Sequence, residues 1–183
     1  MRTIPTQTKT LTLTEAAVLA LLATKNDQSG YELTKHAARS VGHVWAPARS
    51  HLYAVLARLA RDGLARVRHV TQTDRPDKRL YRITPAGQAA LQTWLEAVDA
   101  DDDAFQLKVF YGAYLSRAKL VEHVTAYRER VRDTVALYDE IAETNTNRGH
   151  DYYHRLMLDY GYAQARASLA WADEVLAKLR RKH

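Results

Sequence analysis

The stretch His150-Asp151-Tyr152-Tyr153-His154 sets two imidazoles four residues apart beside a carboxylate. On a helix that spacing puts both rings on one face, as in zinc hydrolases whose metal-binding helix also carries a glutamate base. Here aspartate replaces the glutamate, one methylene shorter, and no third ligand is evident. Gly149 further suggests that the helix starts only there. A metal-dependent hydrolase using His150 and His154 is therefore the weaker reading, and neither metal nor cofactor is expected. The chain has no cysteine, which removes thiol catalysis and thiolate metal sites. A Gly-rich phosphate loop, a G-x-S-x-G elbow and a dinucleotide fingerprint are also missing. The sequence does not read as an enzyme.

A second kind of chemistry is spread more widely. Arg66, Arg68, Arg75, Lys78, Arg79 and Arg82 crowd into one short stretch, opposed there only by Asp74 and Asp77. Residues 1–95 balance to +8 and residues 96–183 to −2, within a net charge of +6. So uneven a distribution suits a first half that meets a polyanion and a second half that does not. Residues 50–64, SHLYAVLARLARDGL, place Leu52, Val55, Leu56 and Leu59 on one helical stripe. The opposite face carries Arg49, Ser50, Tyr53, Arg58 and Arg61, and Gly63 stops the helix. Such a helix is half buried, and its outer face is free to read a partner.

The elements that must hold these residues follow in order. Thr14-Glu15 opens an apolar helix at Ala16–Leu22. Ser29-Gly30-Tyr31-Glu32 has capping-box spacing and starts a second helix through about Arg39. Pro47 stands just inside the start of a third. Residues 64–70 and 79–83 alternate as a two-stranded hairpin around the polar loop TQTDRPDK, and Thr84-Pro85 caps a fourth helix. Three helices, a hairpin and a helix make a winged helix-turn-helix. Its expected partner is double-stranded DNA. Arg49, Ser50 and His51 are expected in the major groove with Tyr53 one turn on. Arg58 is expected to meet phosphate or form a salt bridge; Arg75, Lys78 and Arg79 on the wing, and Tyr31 and Lys35 on the second helix, complete the candidate set. A non-specific architectural DNA binder is the third reading, weaker because no groove-wedging element is visible.

Residues 96–103, EAVDADDD, break the composition. The expected organisation is a flexible lead-in at 1–10, a DNA-binding domain at 11–97, an acidic linker at 98–103 and an all-α dimerisation domain at 104–183. In that last part, Leu120, Val124, Tyr127 and Val131 recur at four- and three-residue steps, as do Leu169 and Leu176 on a later helix. These stripes are expected to form a homodimer, with a helical hairpin within one chain as the alternative. Trp94, Phe110, Tyr111 and Tyr114 flank the linker, and an aromatic-lined cleft there would suit a small flat effector. No apolar run reaches the roughly 18–20 residues of a membrane helix, so a cytoplasmic protein with no membrane partner is expected.

These residues also carry a resemblance. Gly30-Tyr31-Glu32-Leu33, His51-Leu52-Tyr53, Gly63-Leu64 and Lys78-Arg79-Leu80-Tyr81-Arg82-Ile83-Thr84-Pro85-Ala86-Gly87 together resemble the PadR family of transcriptional regulators over residues 11–95. Residues 104–181, with Leu107-Lys108-Val109-Phe110-Tyr111 and Trp171, resemble the C-terminal domain of its virulence-activator-alpha subgroup. The resemblance implies a homodimeric repressor, in some members an activator, that leaves its operator when a small molecule binds. Phenolic acids and cationic aromatic drugs are ligands of some members. No motif here carries a ligand pocket.

Overall fold

In a computed structural model the described residues are 10–25, 27–40, 49–71, 78–98, 101–146 and 148–181. Most of the expected lead-in, residues 41–48 with Pro47, and the wing loop with Arg75 lie outside them.

The N-terminal unit is built around one helix. Helix α1 (Leu13–Thr24) starts where the Thr12 hydroxyl accepts from the Glu15 N–H and the Glu15 carboxylate accepts from the Thr12 N–H. Every residue from Glu15 to Leu22 is buried, so α1 has no solvent face. A helix that is apolar all round belongs at the centre of a core. Around it pack α2 (Gly30–Arg39), α3 (Arg49–Arg61), α4 (Pro85–Glu96), α5 (Asp102–Phe110) and strand β3 (Lys78–Ile83). The expected stripe of α3 is the one buried, with Val55, Leu56 and Leu59 at 0% exposure. Gly63 takes φ +73°, the left-handed conformation that lets the chain turn out of α3 into β2 (Ala65–Val70).

The sheet has one strand more than the sequence suggests. Strands β2 and β3 pair antiparallel with Ala65 opposite Ile83 and Val70 opposite Lys78. On the other edge of β3 lies β1 (Gln28–Ser29), giving the order β1-β3-β2. Two polar residues carry no strand signal of their own; the free edge of β3 recruits them. Thr84 caps α4 through the Gly87 N–H, and Asp101 caps α5 through the Asp103 N–H.

The chain divides into two compact units between Leu115 and Ser116. That is later than the break in composition, because α5 belongs with the first core: Ala104, Leu107 and Tyr111 are buried in it. Lys108 is fully buried there, its ammonium 4.5 Å from the Trp94 ring and donating to the Ala97 carbonyl.

The second unit is a hairpin of two long helices, α6 (Arg117–Thr144) and α7 (His150–Arg180). They run antiparallel: Tyr127 meets Trp171 edge-on at 5.9 Å, and Tyr138 meets Tyr162 at 5.6 Å. Gly161 lets the Tyr138 ring lie against α7, where a Cβ would come within 2.6 Å of it.

Candidate nucleic-acid interface

Helix α3 presents Ser50, His51, Tyr53 and Ala57 outward. Arg49 opens that helix, and its side chain lies outside the described residues, as does Arg75. Tyr53 is 44% exposed, and its ring occupies the space above Gly30, where a Cβ would stand 2.3 Å from Cε1. The ring thus rests on the start of α2. Tyr31 on α2 is 54% exposed and carries the Lys35 ammonium 4.7 Å from its ring centre. Tyr31 and Lys35 on α2 are thus exposed, as are Ser50, His51 and Tyr53 on α3.

Arg58 has another task. Its Nε donates to Glu15 Oε1 at 2.8 Å, and Glu15 is only 1% exposed. Of the two roles the sequence leaves open, phosphate contact or salt bridge, the geometry supplies the salt bridge. A carboxylate buried in the core demands a counter-charge, and Arg58 turns inward to give it.

The wing cations also divide. Lys78 Nζ donates to Glu32 Oε1 at 2.8 Å. The Glu32 pKa falls to about 2, through Lys78 first and then the Ser29 N–H it accepts in the α2 capping box. Arg82 forks onto Asp27 through Nε at 2.9 Å and Nη2 at 3.1 Å, and Arg68 reaches the same carboxylate at 3.4 Å. The Arg82 hydrogen bond holds the Asp27 carboxyl below its usual range, with Arg68 adding to it. Arg79 is exposed and makes no ion pair among the described residues. Sequence reasoning misses both acidic partners: Asp27 and Glu32 lie far from the hairpin in the chain, and no local signal joins them to it.

The aromatic set is only partly brought together. Tyr111 is buried, with Phe110 edge-on at 5.1 Å and Tyr114 at 6.4 Å, and Trp94 lies beside Lys108. Phe110 and Tyr114 are exposed. The Tyr111 hydroxyl has no hydrogen-bond partner among the described residues, and burial pushes its pKa up.

In the second unit the expected dimer stripes are largely taken up within the chain. Val124 and Leu176 are buried, Tyr127 meets Trp171 edge-on, and Leu120, Val131 and Leu169 are half-buried. Heptad spacing gives a helix a seam but does not say whose helix fills it; here the antiparallel neighbour does. His150 and His154 do share a face, with ring centres 4.4 Å apart. The carboxylate of Asp151 is instead held by the Thr146 N–H and hydroxyl. No group of three or more metal-ligand side chains exists among the described residues. Nor is any described helix long and apolar enough to cross a membrane.

Two family models match the chain in tandem. Residues 18–93 match the transcriptional regulator PadR-like family, and residues 103–180 match the virulence activator alpha C-terminal model. The chain belongs to the PadR-like family of transcriptional regulators. As a PadR-like protein it is a DNA-binding regulator and not an enzyme. Among its relatives, the negative transcriptional regulator PadR of Bacillus subtilis is 25% identical over 174 residues, 89% of this chain and 95% of that one. The probable transcriptional regulator Rv1176c of Mycobacterium tuberculosis is 28% identical over 172 residues, 84% and 91% of the two chains. Among solved structures, Bacillus subtilis PadR in complex with operator DNA aligns with a TM-score of 0.44 at 23% identity, over 92% of this chain and 99% of that one.

Proposed function

We propose that this PadR-like protein is a repressor that binds a pseudo-palindromic operator as a homodimer in the cytoplasm. The observation that carries the reading is the outer face of α3: polar, exposed and flanked by the wing, on a helix whose other face is locked into the core. Arg49, Ser50 and His51 read base edges, with Tyr31, Tyr53 and Lys35 beside them. Arg79 meets backbone phosphate, and Lys78 and Arg75 strengthen the wing. Repression is supported by the relative named a negative regulator. Leu120, Tyr127, Val131 and Leu169 of the heptad stripes keep part of their surface for a second copy, and further apolar residues extend it. Leu137, Ile141, Leu156, Met157 and Tyr160 stay exposed on the hairpin, apolar side chains that a second copy would cover.

A small aromatic effector is a further part of the proposal, favoured by the Tyr111 hydroxyl, buried without a partner among the described residues and close to Phe110 and Tyr114. A ligand acceptor there would satisfy it, and quenching of Trp94 fluorescence would report the binding.

The test is selection and sequencing of bound random DNA, followed by two variants on the selected site. Half-sites should lie about 34–36 Å apart, one helical turn. Arg49→Ala should relax base choice by about 1–3 kcal/mol, while Arg79→Ala should weaken all DNA alike and lower the salt slope by about one. Uniform loss in both variants would remove Arg49 from the bases.

A further inference from the structure

The outer face of the wing sheet holds an imbalance that its own strands do not resolve. Arg66 on β2 stands directly opposite Arg82 on β3, and Arg68 stands opposite Leu80. Like charges facing each other across an antiparallel pair are destabilising. Among the described residues a single carboxylate, Asp27, answers this group, and it is committed to Arg82 and Arg68. Arg66 is exposed and has no ion pair among the described residues. Asp27 itself sits at φ +32°, a conformation uncommon for any residue but glycine. Together Arg66, Arg68, Arg82, Asp27 and Leu80 line a cleft of about 360 Å³.

The chemistry of that cleft is specific. Three guanidinium groups against one carboxylate leave two positive charges over. Arginine forks match the oxygens of a phosphate, which they bind through paired N–H donors. Leu80 gives the cleft an apolar floor, and hydrogen bonds to ions strengthen where water is displaced. Asp27 holds two of the three forks in place before a ligand arrives, which lowers the ordering cost on binding. We propose that Arg66, Arg68 and Arg82, gathered around Asp27 on the outer face of the wing sheet, form a phosphate-binding site.

The phosphate has two possible sources, the DNA backbone or a free phosphate group, and only the first rests on the DNA-binding reading above. The full-length protein, free of DNA, is titrated with inorganic phosphate at constant ionic strength by calorimetry, alongside Arg66→Gln. This substitution removes one of two opposed charges, so its melting temperature should equal or exceed that of the parent. Phosphate affinity should fall about tenfold or more in Arg66→Gln, the loss of a charge-assisted hydrogen bond. Operator affinity is then measured against salt for both proteins. A slope smaller by about one in the variant assigns the site to a DNA-backbone phosphate, and an unchanged slope with weakened phosphate binding assigns it to free phosphate. Equal phosphate affinities together with equal slopes, or no phosphate binding with equal slopes, overturn the proposal. Failure of the parent protein to bind selected DNA would count against the regulator reading alone, and the calorimetric arm would still decide the site.

Discussion

The two units of this chain solve the same problem, covering apolar side chains, with unequal means. The first wraps α2, α3, α4, α5 and β3 around a helix with no exposed face, and its core runs from Leu11 to Tyr111. The second has only two helices, each able to cover one stripe of the other. It buries Val124, Leu158, Ala165, Ala172 and Leu176, yet leaves Met157 and Tyr153 each 64% exposed. Domains normally need two packed layers around a shared core. One unit is self-sufficient, and the other has surface to offer.

The hardest test of that contrast is where the chain can be cut. Residues 10–115 should fold cooperatively as a monomer. Ending at residue 103 instead strips Leu107 and Tyr111 from the first core, at about 1.5–3 kcal/mol for each side chain. A loss of roughly 5 kcal/mol by urea unfolding is expected, and equal stability of the two fragments would return α5 to the second unit.

Next comes the buried ion pair. Arg58→Ala leaves Glu15 in the core without its guanidinium, and should cost about 3 kcal/mol. Denaturation of the 10–115 fragment measures this, and a change below about 0.5 kcal/mol, usual for surface sites, would mean that Arg58 serves the surface after all.

On the hairpin the expected effect is smaller in stability and larger in assembly. Met157→Lys should leave the melting of the first unit untouched while weakening self-association by about 1–2 kcal/mol. Sedimentation equilibrium decides it. Unchanged mass with unchanged operator affinity would mean that the exposed strip meets only water.

The smallest effect is electrostatic. Glu32 has its pKa lowered from 4.5 to about 2, so its contribution is complete above pH 4.5 and lost as pH falls toward 2. Glu32→Gln should therefore flatten the stability profile between those pH values and leave its neutral-pH shape alone. The pair is about half-exposed, so screening keeps the difference small. A variant profile as steep as the parent's would assign that acid sensitivity to other carboxylates.

Much of this fold is legible in the sequence. The capping box at Ser29 and Glu32, the buried stripe of α3, the turn at Gly63 and the pairing of 64–70 with 79–83 are all set by residues close along the chain. What stays hidden depends on distant partners. Arg58 finds Glu15 and Arg82 finds Asp27 across 43 and 55 residues, and no periodicity encodes such meetings. Strand β1 exists only because β3 has an edge to fill. The heptads of α6 and α7 are visible, but a seam filled within one chain and a seam filled by a partner have the same spacing. At the candidate interface the exposed front of α3 can be foreseen, whereas the division of wing cations into paired and free cannot.

Gly30 lies under the Tyr53 ring, and a Cβ on Gly87 would meet the Leu64 carbonyl oxygen at 2.1 Å. Each of these contacts joins two of the sequence blocks by which the chain resembles its relatives: the first ties Gly-Tyr-Glu-Leu to His-Leu-Tyr, the second ties Gly-Leu to Pro-Ala-Gly. Those blocks are thus the rivets of a frame. A side chain at 87 would press on a backbone carbonyl that cannot swing aside, whereas one at 30 meets the ring of an exposed tyrosine, which must move to admit it. A signature made of such contacts is a statement about assembly and is silent about the message being read. Regulators that share it can diverge in operator, because a residue such as Ser50, exposed on α3, lies outside those blocks.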